Sequence, residues 1–417
     1  VNWQDIYIDK GGYVKDFVYS GNGDIIVTGE SDGTIRLWDT EYDICYKIIE
    51  GHEVPVSSVC LTNEGRYIIS AGAEGSIKFW DQHTEVCLLE QKMGHVHDDG
   101  TPLGILDLAY HPIPGEVETK FWLLSSCIHD HSISVWKVDL EQREAKLEHE
   151  LTFHQDAVRS VDMHIFEDGS IRIIAGSWDN TVSIWDGLGG SLMSVLDMHV
   201  SRVHCVSFSE DGKYFASGSS DDTVIVWDTS NPNHKYRRLK GHTRGIDSLQ
   251  FKFRKAEKKK EKDVFQLISA ASDDKIIIWD LDQIDWGDNS PKNLSIKTLK
   301  HHVLPLGYAR EVNCVHFDPQ SNQFSYATSD GRLRIWDLRG DRFTERNILY
   351  NTYELHVQGC RFRDLHPQSN LFERETSFMD QHEGEKEVTK EMLLRQYGAI
   401  IREEDEEIWN KFVVKMS

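Results

Sequence analysis

Residues 219–228 read SSDDTVIVWD, and the same order of acidic turn, alternating apolar run and tryptophan recurs along the chain. The other copies are ESDGTIRLWD (30–39), GAEGSIKFWD (72–81), IHDHSISVWK (128–137), SWDNTVSIWD (177–186), ASDDKIIIWD (271–280) and TSDGRLRIWD (328–337). Each copy places an acidic residue six positions before its tryptophan, which chance does not produce seven times. The chain is therefore interpreted first as a repeat.

Each repeat unit predicts four short antiparallel strands. In the second unit, VSSVCL (56–61), RYIISAG (66–72) and SIKFWD (76–81) are short runs rich in β-branched and aromatic residues, separated by turn sequences. Neighbouring tryptophans lie 42 to 57 residues apart, which brackets the period of a four-stranded propeller blade. The longer units accommodate insertions in their loops.

The composition limits the class of protein. With 417 residues, 39% of them hydrophobic and 28% charged, the chain can bury a large core. A net charge of −23 argues against general attraction to nucleic acid or anionic membranes. Seven scattered cysteines without a paired motif predict reduced thiols and no metal or redox cofactor. Without an apolar run of about 18 residues or a signal peptide, an intracellular protein, cytoplasmic or nuclear, is expected.

These units resemble WD40 repeats, and the seven together resemble an all-β, seven-bladed WD40 β-propeller over roughly residues 5–355. The Gly-His pair of that family is matched at Gly51-His52 and Gly241-His242, and its histidine alone at His154 and His199. The resemblance implies a propeller domain at 1–363. Residues 364–417 would then form a C-terminal extension with short α-helices.

The resemblance also implies a buried hydrogen-bonded tetrad of imidazole, hydroxyl, carboxylate and indole in most blades. Three complete sets are His52, Ser70, Glu74 and Trp80; His199, Ser217, Asp221 and Trp227; and His242, Ser269, Asp273 and Trp279. An unpaired buried member costs about 1 to 3 kcal/mol. The hydroxyl ten positions before the tryptophan, found also at Ser126, is replaced by Ala175 and Tyr326, so blades four and seven are expected to be weaker.

A serine-hydrolase interpretation of the same residues is disfavoured. The Ser, His and Asp pattern recurs in most blades, pairs its hydroxyl with an indole, and lacks a G-x-S-x-G turn. A nucleophile would instead be a single exposed serine in a cleft. The tetrads are therefore interpreted as structural, and no catalytic residue is predicted.

Ring closure leaves two alternatives. DIYIDKGG (5–12) aligns with the outer strand and turn of later units and is predicted to complete blade seven. RNILYNTYELHVQGCRF (346–362) itself has the pattern of an outer strand followed by the start of another unit. If both segments are strands, an eighth, partial blade results.

One face of the predicted ring is the candidate partner site. In the family, the acidic turns and the histidine turns share a face, called here the top face. Near the starts of the innermost strands the chain places Lys15, Arg159, Arg202, Arg244 and Arg310, predicted to form an arc for an acidic or phosphorylated peptide. Scattered solvated charge is the alternative. Trp178 is a candidate aromatic anchor on this face.

Other segments carry weaker signals. The loops 94–104 and 301–311 are candidate contact loops, whereas His95, His97, Asp98 and Asp99 match no strong metal-ligand spacing. The lysine-rich insertion 251–263 is interpreted as a charged surface loop, with contact to acidic tails or RNA as the alternative. Residues 385–417 predict two amphipathic helices, which would pack on the propeller or dock a partner through Ile408, Trp409 and Phe412.

The sequence thus predicts a non-catalytic scaffold that joins proteins in a multiprotein complex. Two alternatives within binding proteins are a reader of basic peptides or histone-type tails and a substrate receptor of a ubiquitin ligase. A hydrolase is the rival from another class, and it lacks a uniquely exposed nucleophile.

Overall fold

A computed structural model describes residues 6–9, 12–41, 44–92, 104–233, 235–254, 264–273, 275–281, 301–305, 312–321, 323–329, 332–337, 344–350 and 354–357. These residues form seven four-stranded antiparallel sheets and one two-stranded sheet. In that part of the chain, no helix is long and apolar enough to cross a membrane.

The seven four-stranded sheets are the blades, and each consists of four consecutive strands. Blades one to three are β2 (Val14–Tyr19), β3 (Ile25–Glu30), β4 (Thr34–Asp39) and β5 (Ile44–Glu50); β6 (Val56–Leu61), β7 (Tyr67–Gly72), β8 (Ser76–Asp81) and β9 (Cys87–Lys92); and β10 (Ile105–Pro112), β11 (Lys120–Cys127), β12 (Ser132–Asp139) and β13 (Glu144–Thr152). Blades four and five are β14 (Val158–Ile165), β15 (Ile171–Ser177), β16 (Val182–Asp186) and β17 (Ser191–Leu196); and β18 (Val203–Phe208), β19 (Tyr214–Ser219), β20 (Thr223–Asp228) and β21 (Tyr236–Lys240). Blades six and seven are β22 (Ile246–Arg254), β23 (Val264–Ala271), β24 (Lys275–Asp280) and β25 (His301–Pro305); and β26 (Val312–Phe317), β27 (Gln323–Thr328), β28 (Arg332–Asp337) and β29 (Thr344–Tyr350).

Burial explains the sequence pattern within a blade. The second and third strands are covered on both faces by neighbouring blades, so β7 is buried at all six positions. The outer strand β9 has no fully buried residue because it lies at the rim. Apolar clusters therefore lie between blades, and one of them joins Val27, Ile35 and Leu37 of blade one to Val59 and Trp80 of blade two.

The innermost strands stand side by side around a central channel. Each packs against the next, and β26 of blade seven packs against β2 of blade one, which closes the ring. The backbone N–H of Val59 in β6 donates to Asp16 Oδ2 in β2 at 2.9 Å, and that of Val161 in β14 donates to Asp107 Oδ2 in β10 at 2.9 Å. Both bonds join the third residue of one inner strand to the fourth residue of the next, so these strands share one register.

Every innermost strand has a β-bulge at its second residue. The strand pairing skips that residue in all seven blades, and such bulges redirect a side chain. The seven bulge residues, which all line a channel cavity of about 310 Å³, are Lys15, Ser57, Leu106, Arg159, His204, Asp247 and Asn313. The residues at one level of the channel thus form a ring of mixed charge.

The prediction that the N-terminal strand completes blade seven is wrong. Blade seven has its own outer strand, β29, so its sheet has no place for another strand. Instead β1 (Ile6–Asp9) pairs antiparallel with β30 (Glu354–Val357), and Ile6 lies opposite Val357. The alternative of a further, partial sheet describes this two-stranded pair.

Packing between blades one and seven closes the ring without a shared strand. The hydroxyl groups of Tyr19 and Ser325 are hydrogen-bonded at 2.5 Å, and Asn313 Nδ2 donates to the carbonyl of Val14 at 2.6 Å. The rings of Phe17 and His316 meet edge to face at 4.9 Å.

Replacing Asn313 by alanine removes a hydrogen bond across this seam. The free energy of unfolding should fall by about 1 kcal/mol, because the carbonyl of the buried Val14 loses this donor. Urea denaturation of the full chain measures the change. The control is Asn63→Ala on an exposed turn, where the side chain makes no hydrogen bond with a described residue. An equal loss in both variants would contradict a role at the seam.

Candidate functional site

In three blades, the structure brings the four predicted tetrad side chains together. In blade five, His199 Nδ1 lies 2.9 Å from Asp221 Oδ2, and Ser217 Oγ lies 2.8 Å from His199 Nε2. Trp227 Nε1 donates to the same Ser217 Oγ at 3.0 Å. Blades two and six repeat the arrangement with His52, Glu74, Ser70 and Trp80, and with His242, Asp273, Ser269 and Trp279.

The tetrad carboxylate also shapes its turn. Asp221 Oδ1 accepts hydrogen bonds from the N–H and the hydroxyl of Thr223 at 3.1 and 2.6 Å. Burial acts to raise the pKa of Asp221, but hydrogen bonds from His199 and Thr223 outweigh it and hold that pKa well below its usual range. The residue after the acid has a positive φ, and Asp222 adopts it with φ 66°. This explains why Gly, Asn or Asp usually follows the acid.

The expectation that blade four is weaker is wrong. Ala175 indeed lacks the hydroxyl, but Ser183, which pairs with Ala175 on the neighbouring strand β16, supplies one from the other side. His154 Nε2 lies 2.7 Å from Ser183 Oγ, and Trp185 Nε1 donates to that oxygen at 2.8 Å. Blade four therefore has a complete tetrad, with its hydroxyl two positions before the tryptophan.

Blade three uses a different serine from the one expected. Trp136 Nε1 donates to Ser125 Oγ at 2.9 Å, whereas the buried Ser126 hydroxyl has no hydrogen-bond partner among the described residues. The cause is a hairpin one residue longer: Trp136 pairs with Leu123, thirteen positions earlier, and Trp227 pairs with Phe215, twelve positions earlier.

Blades one and seven have no histidine in a described tetrad. In blade one, Trp38 Nε1 donates to Thr28 Oγ1 at 3.1 Å, and that hydroxyl donates to the buried Glu30 at 2.8 Å. In blade seven, the buried Trp336 Nε1 has no partner within the described part of the chain. This unpaired indole agrees with the prediction that blade seven is weaker, which was made because Tyr326 stands where other blades have the tetrad hydroxyl.

The top face is defined by hydrogen bonds that repeat from blade to blade. The N–H of Trp178, in the turn after β15, donates to the carbonyl of Ala157 at 2.9 Å, just before β14. In blade five, the N–H of Ser220 donates to the carbonyl of Arg202 at 2.8 Å. The turns between second and third strands therefore lie beside the starts of the innermost strands.

The structure places the described members of the basic arc on this face. Lys15 and Arg159 are bulge residues at the channel, Arg202 immediately precedes β18, and Arg244 lies two residues before β22. Lys15 Nζ lies 4.9 Å from the ring centre of Tyr13. None of the four cations makes a hydrogen bond or ion pair with a described residue. Arg310 lies outside the described residues.

Cations elsewhere on the described surface are commonly paired. Arg66 contacts Asp81 at 3.3 Å, and Lys47 contacts Glu85 at 3.3 Å. In a chain of net charge −23, this face therefore carries cations that make no direct ion pair with a described carboxylate.

Below the basic residues, half-buried carboxylates line the channel. Burial, and then the charge of nearby Asp16, raise the pKa of Asp107 to about 6, although the N–H of Val161 opposes this shift. Burial and the charge of Asp107 raise the pKa of Asp162 to about 7. His111 Nε2 lies 4.0 Å from Asp162 Oδ1, and burial lowers the pKa of His111 to about 4. These groups hold adjacent blades together, because Asp162 Oδ2 accepts the N–H of Phe208 at 2.8 Å.

Several sequence-predicted residues fall outside the described part of the chain. These are His95, His97, Asp98, Asp99, Arg310, Ile408, Trp409 and Phe412. Among the described residues, no group of three or more His, Cys, Asp or Glu side chains is placed to hold a metal ion.

Comparison with known families gives an independent match. The family described as "WD domain, G-beta repeat" matches residues 6–39, 43–81, 145–186, 190–228 and 294–337. These segments fall on the units that contain Trp38, Trp80, Trp185, Trp227 and Trp336.

Curated relatives share short to intermediate stretches with the chain. An uncharacterized WD repeat-containing protein of Schizosaccharomyces pombe is 28% identical over 41% of this chain and 42% of its own length. Small ribosomal subunit protein RACK1y of Oryza sativa subsp. japonica is 28% identical over 40% of this chain and 44% of its own length. A ribosome biogenesis protein WDR12 homolog of Drosophila persimilis is 24% identical over 56% and 52%, respectively. The chain thus spans about half the length of these relatives.

Proposed function

Because this chain is a seven-bladed β-propeller built from WD40 repeats, we propose that it is a non-catalytic scaffold that binds an acidic or phosphorylated segment of a partner protein on its top face. The observation that carries the proposal is a set of four cations on one face of an acidic protein that make no hydrogen bond or ion pair with a described residue: Lys15, Arg159, Arg202 and Arg244. Arginine offers paired donors that match carboxylate and phosphate oxygens.

The buried hydroxyls support a non-catalytic role. Ser217 and Ser269 have no exposed surface, and each accepts an indole N–H. A serine nucleophile must reach its substrate, so hydrogen bonds inside a blade core serve the architecture. Relatives named for a ribosomal subunit and for ribosome biogenesis are consistent with membership of a large assembly.

The surface charge favours an anionic partner over a basic tail at this face. A basic peptide would meet unpaired guanidinium groups at the channel mouth and would be repelled. We also propose an intracellular location, supported by six cysteines that form no disulfide in the described part of the chain.

Reversing the charge of Arg202 and Arg244 together should weaken partner capture. The full chain, epitope-tagged and expressed in cells of its source organism, is purified as wild type and as Arg202→Glu/Arg244→Glu, and partners are quantified by mass spectrometry. At least one stable partner should fall by about tenfold, because two attractive charges become repulsive.

The matched control makes the same change in net charge away from the top face. Lys146 lies on the outer strand β13, and Lys213 lies in the turn between β18 and β19, each ion-paired to an acid. Lys146→Glu/Lys213→Glu should retain the partners. Equal partner profiles for the wild type and the top-face variant would refute the proposed surface.

A further inference from the structure

One turn position on the top face differs sharply in blade four. In blades one to six, one residue in the turn after the second strand donates its N–H to a carbonyl just before the innermost strand of the same blade. These residues are Ser31, Ala73, Ile128, Trp178, Ser220 and Ser272. In blades five and six, the serine hydroxyl at this position also holds the bulge residue. Ser220 Oγ lies 2.6 Å from His204 Nε2, and Ser272 Oγ donates to Asp247 Oδ2 at 2.6 Å.

Trp178 cannot hold the bulge residue of blade four in this way. An indole ring has no hydroxyl, and the bulge residue there is Arg159, which has no hydrogen bond or ion pair with any described residue. The guanidinium is half-buried at the channel cavity. Burial raises the pKa of the nearby Asp107 and the attraction of the Arg159 charge opposes that rise, but Asp107 makes no direct ion pair with the guanidinium, so the N–H donors of Arg159 remain available to a further anion.

The indole reaches across to blade five. Arg202 Cζ lies 4.8 Å from the centre of the Trp178 ring, and the His204 ring meets that indole edge to face at 6.3 Å. Burial, and then the charges of Arg159 and Arg202, lower the pKa of His204 to about 4. Both guanidinium groups therefore lie near one imidazole, which is neutral at pH 7 and adds no charge of its own.

Exposed apolar side chains occur in the loops that enter these two blades. Val200 is 81% exposed in the loop that enters blade five, and Phe153 is 42% exposed in the loop that enters blade four. Val200 follows the tetrad histidine His199, and Phe153 precedes the tetrad histidine His154. The hydrogen bonds of these histidines therefore hold the two loops in place.

We propose that Arg159, Arg202 and Trp178 form a discrete site for one anionic side chain of a partner peptide, flanked by an apolar residue that packs on Trp178 and Val200. The inference rests on the proposed function and specifies its ligand. Phosphate is favoured over carboxylate, because two guanidinium groups can share its three oxygens. Nucleic acid fits less well, because the chain carries a charge of −23 and the site offers one aromatic ring.

A change that removes no charge tests the site. Trp178→Ser introduces the residue found in blades five and six, so the new hydroxyl should accept a hydrogen bond from Arg159. The same change removes the apolar surface of the indole ring. Trp178→Phe keeps an apolar aromatic ring at this position and adds no hydroxyl. Degenerate peptide libraries with a fixed central phosphoserine, glutamate or serine serve as probes, and binding to the folded full chain is measured by fluorescence polarisation.

The wild type and Trp178→Phe should bind the phosphoserine library about tenfold more tightly than the serine library, with glutamate between them. Peptides that the immobilised full chain retains from the same libraries are sequenced, and they should show selection for an apolar residue near the fixed anion. Trp178→Ser should lose most of this preference and the apolar selection, while its circular dichroism and melting temperature stay close to those of the wild type.

Three results would overturn the site. They are unchanged binding by Trp178→Ser, equal binding of phosphoserine and serine libraries by the wild type, and equal competition by a polyuridylate oligomer, which would indicate a general polyanion surface. If cellular partners are lost in Arg202→Glu/Arg244→Glu but Trp178→Ser binds as the wild type does, the broad basic surface stands and this discrete site fails.

Discussion

Replacing Ser217 by alanine is expected to lower the free energy of unfolding by about 2 to 4 kcal/mol, because two buried groups lose their partner at once. The hydroxyl of Ser217 contacts both His199 Nε2 and Trp227 Nε1, and all three side chains are buried. Water cannot replace the hydroxyl in a blade core with no exposed surface at residue 217. Urea denaturation followed by tryptophan fluorescence measures the loss.

Blade three supplies a matched pair of controls. Ser126→Ala removes a buried hydroxyl that has no partner among the described residues, so stability should stay constant or rise. Ser125→Ala, one position earlier, should lower the free energy of unfolding by about 1 to 3 kcal/mol, because Trp136 Nε1 loses its acceptor. A larger loss for Ser126→Ala than for Ser125→Ala would show that the hairpin register is wrong.

Replacing Asp162 by asparagine should change how stability depends on pH. Burial and the charge of Asp107 raise the pKa of Asp162 from an ordinary 3.8 to about 7. The folded protein therefore holds a proton that the unfolded chain releases. The resulting stability is fully present below the unfolded pKa and is lost as pH rises through the folded pKa near 7.

Asparagine cannot ionise, so the variant avoids this loss. It keeps one acceptor for the N–H groups of Met163 and Phe208, which bond to the two carboxylate oxygens of Asp162. The stability of Asp162→Asn relative to the wild type should rise by about 2 kcal/mol from about pH 5 to about pH 8, after allowing for water in the channel. Thermal and urea denaturation across this range give the difference directly.

The difference in stability between the variant and the wild type removes contributions from titrating groups that do not interact with Asp162. His164 lies near His111, and burial lowers the pKa of both, so they add stability as pH rises and mask Asp162 in the wild type alone. The control is Asp168→Asn on an exposed turn, where hydrogen bonds from Ser170 hold the pKa of the carboxyl below its usual value. A flat difference for Asp162→Asn, like that expected for the control, would contradict the buried charge.

The sequence was sufficient to predict the blades because each one repeats the same local chemistry. An acid six residues before a tryptophan fixes both a hairpin turn and the strand after it, as Asp221 does for Thr223 and Trp227. Alternating apolar runs then assign the strands. The family match and the seven four-stranded sheets confirm the predicted WD40 propeller.

The misassigned tetrads depended on contacts between strands, which spacing along one strand does not report. Ser183 replaces the missing hydroxyl because it lies opposite Ala175 across the β15 and β16 ladder. Ser125 replaces Ser126 because one extra residue in the hairpin shifts the register. Two segments were candidates for the outer strand of blade seven because β1 and β29 have similar patterns, and only strand pairing distinguishes them.

The candidate site was predicted in part. Charge and position near strand starts were enough to select Arg159 and Arg202, and an aromatic side chain just before a tetrad acid was enough to select Trp178. Neither signal showed which of them contact each other. The bulge residues were missed as a ring, and with them His204 and Asp247. A polar residue after the first apolar position of an inner run, as in VHCVSF (203–208), was the available signal.

The order of strands has a consequence for biosynthesis. Every blade is made of consecutive strands, so each sheet can form from a contiguous stretch of chain soon after that stretch emerges from the ribosome. The seam between the first and last sheets must wait, because its partners Tyr19 and Ser325 are 306 residues apart. Until then the apolar flank of the first sheet, with Phe17 at its centre, stays uncovered. That nascent flank is the surface a chaperone would have to shield.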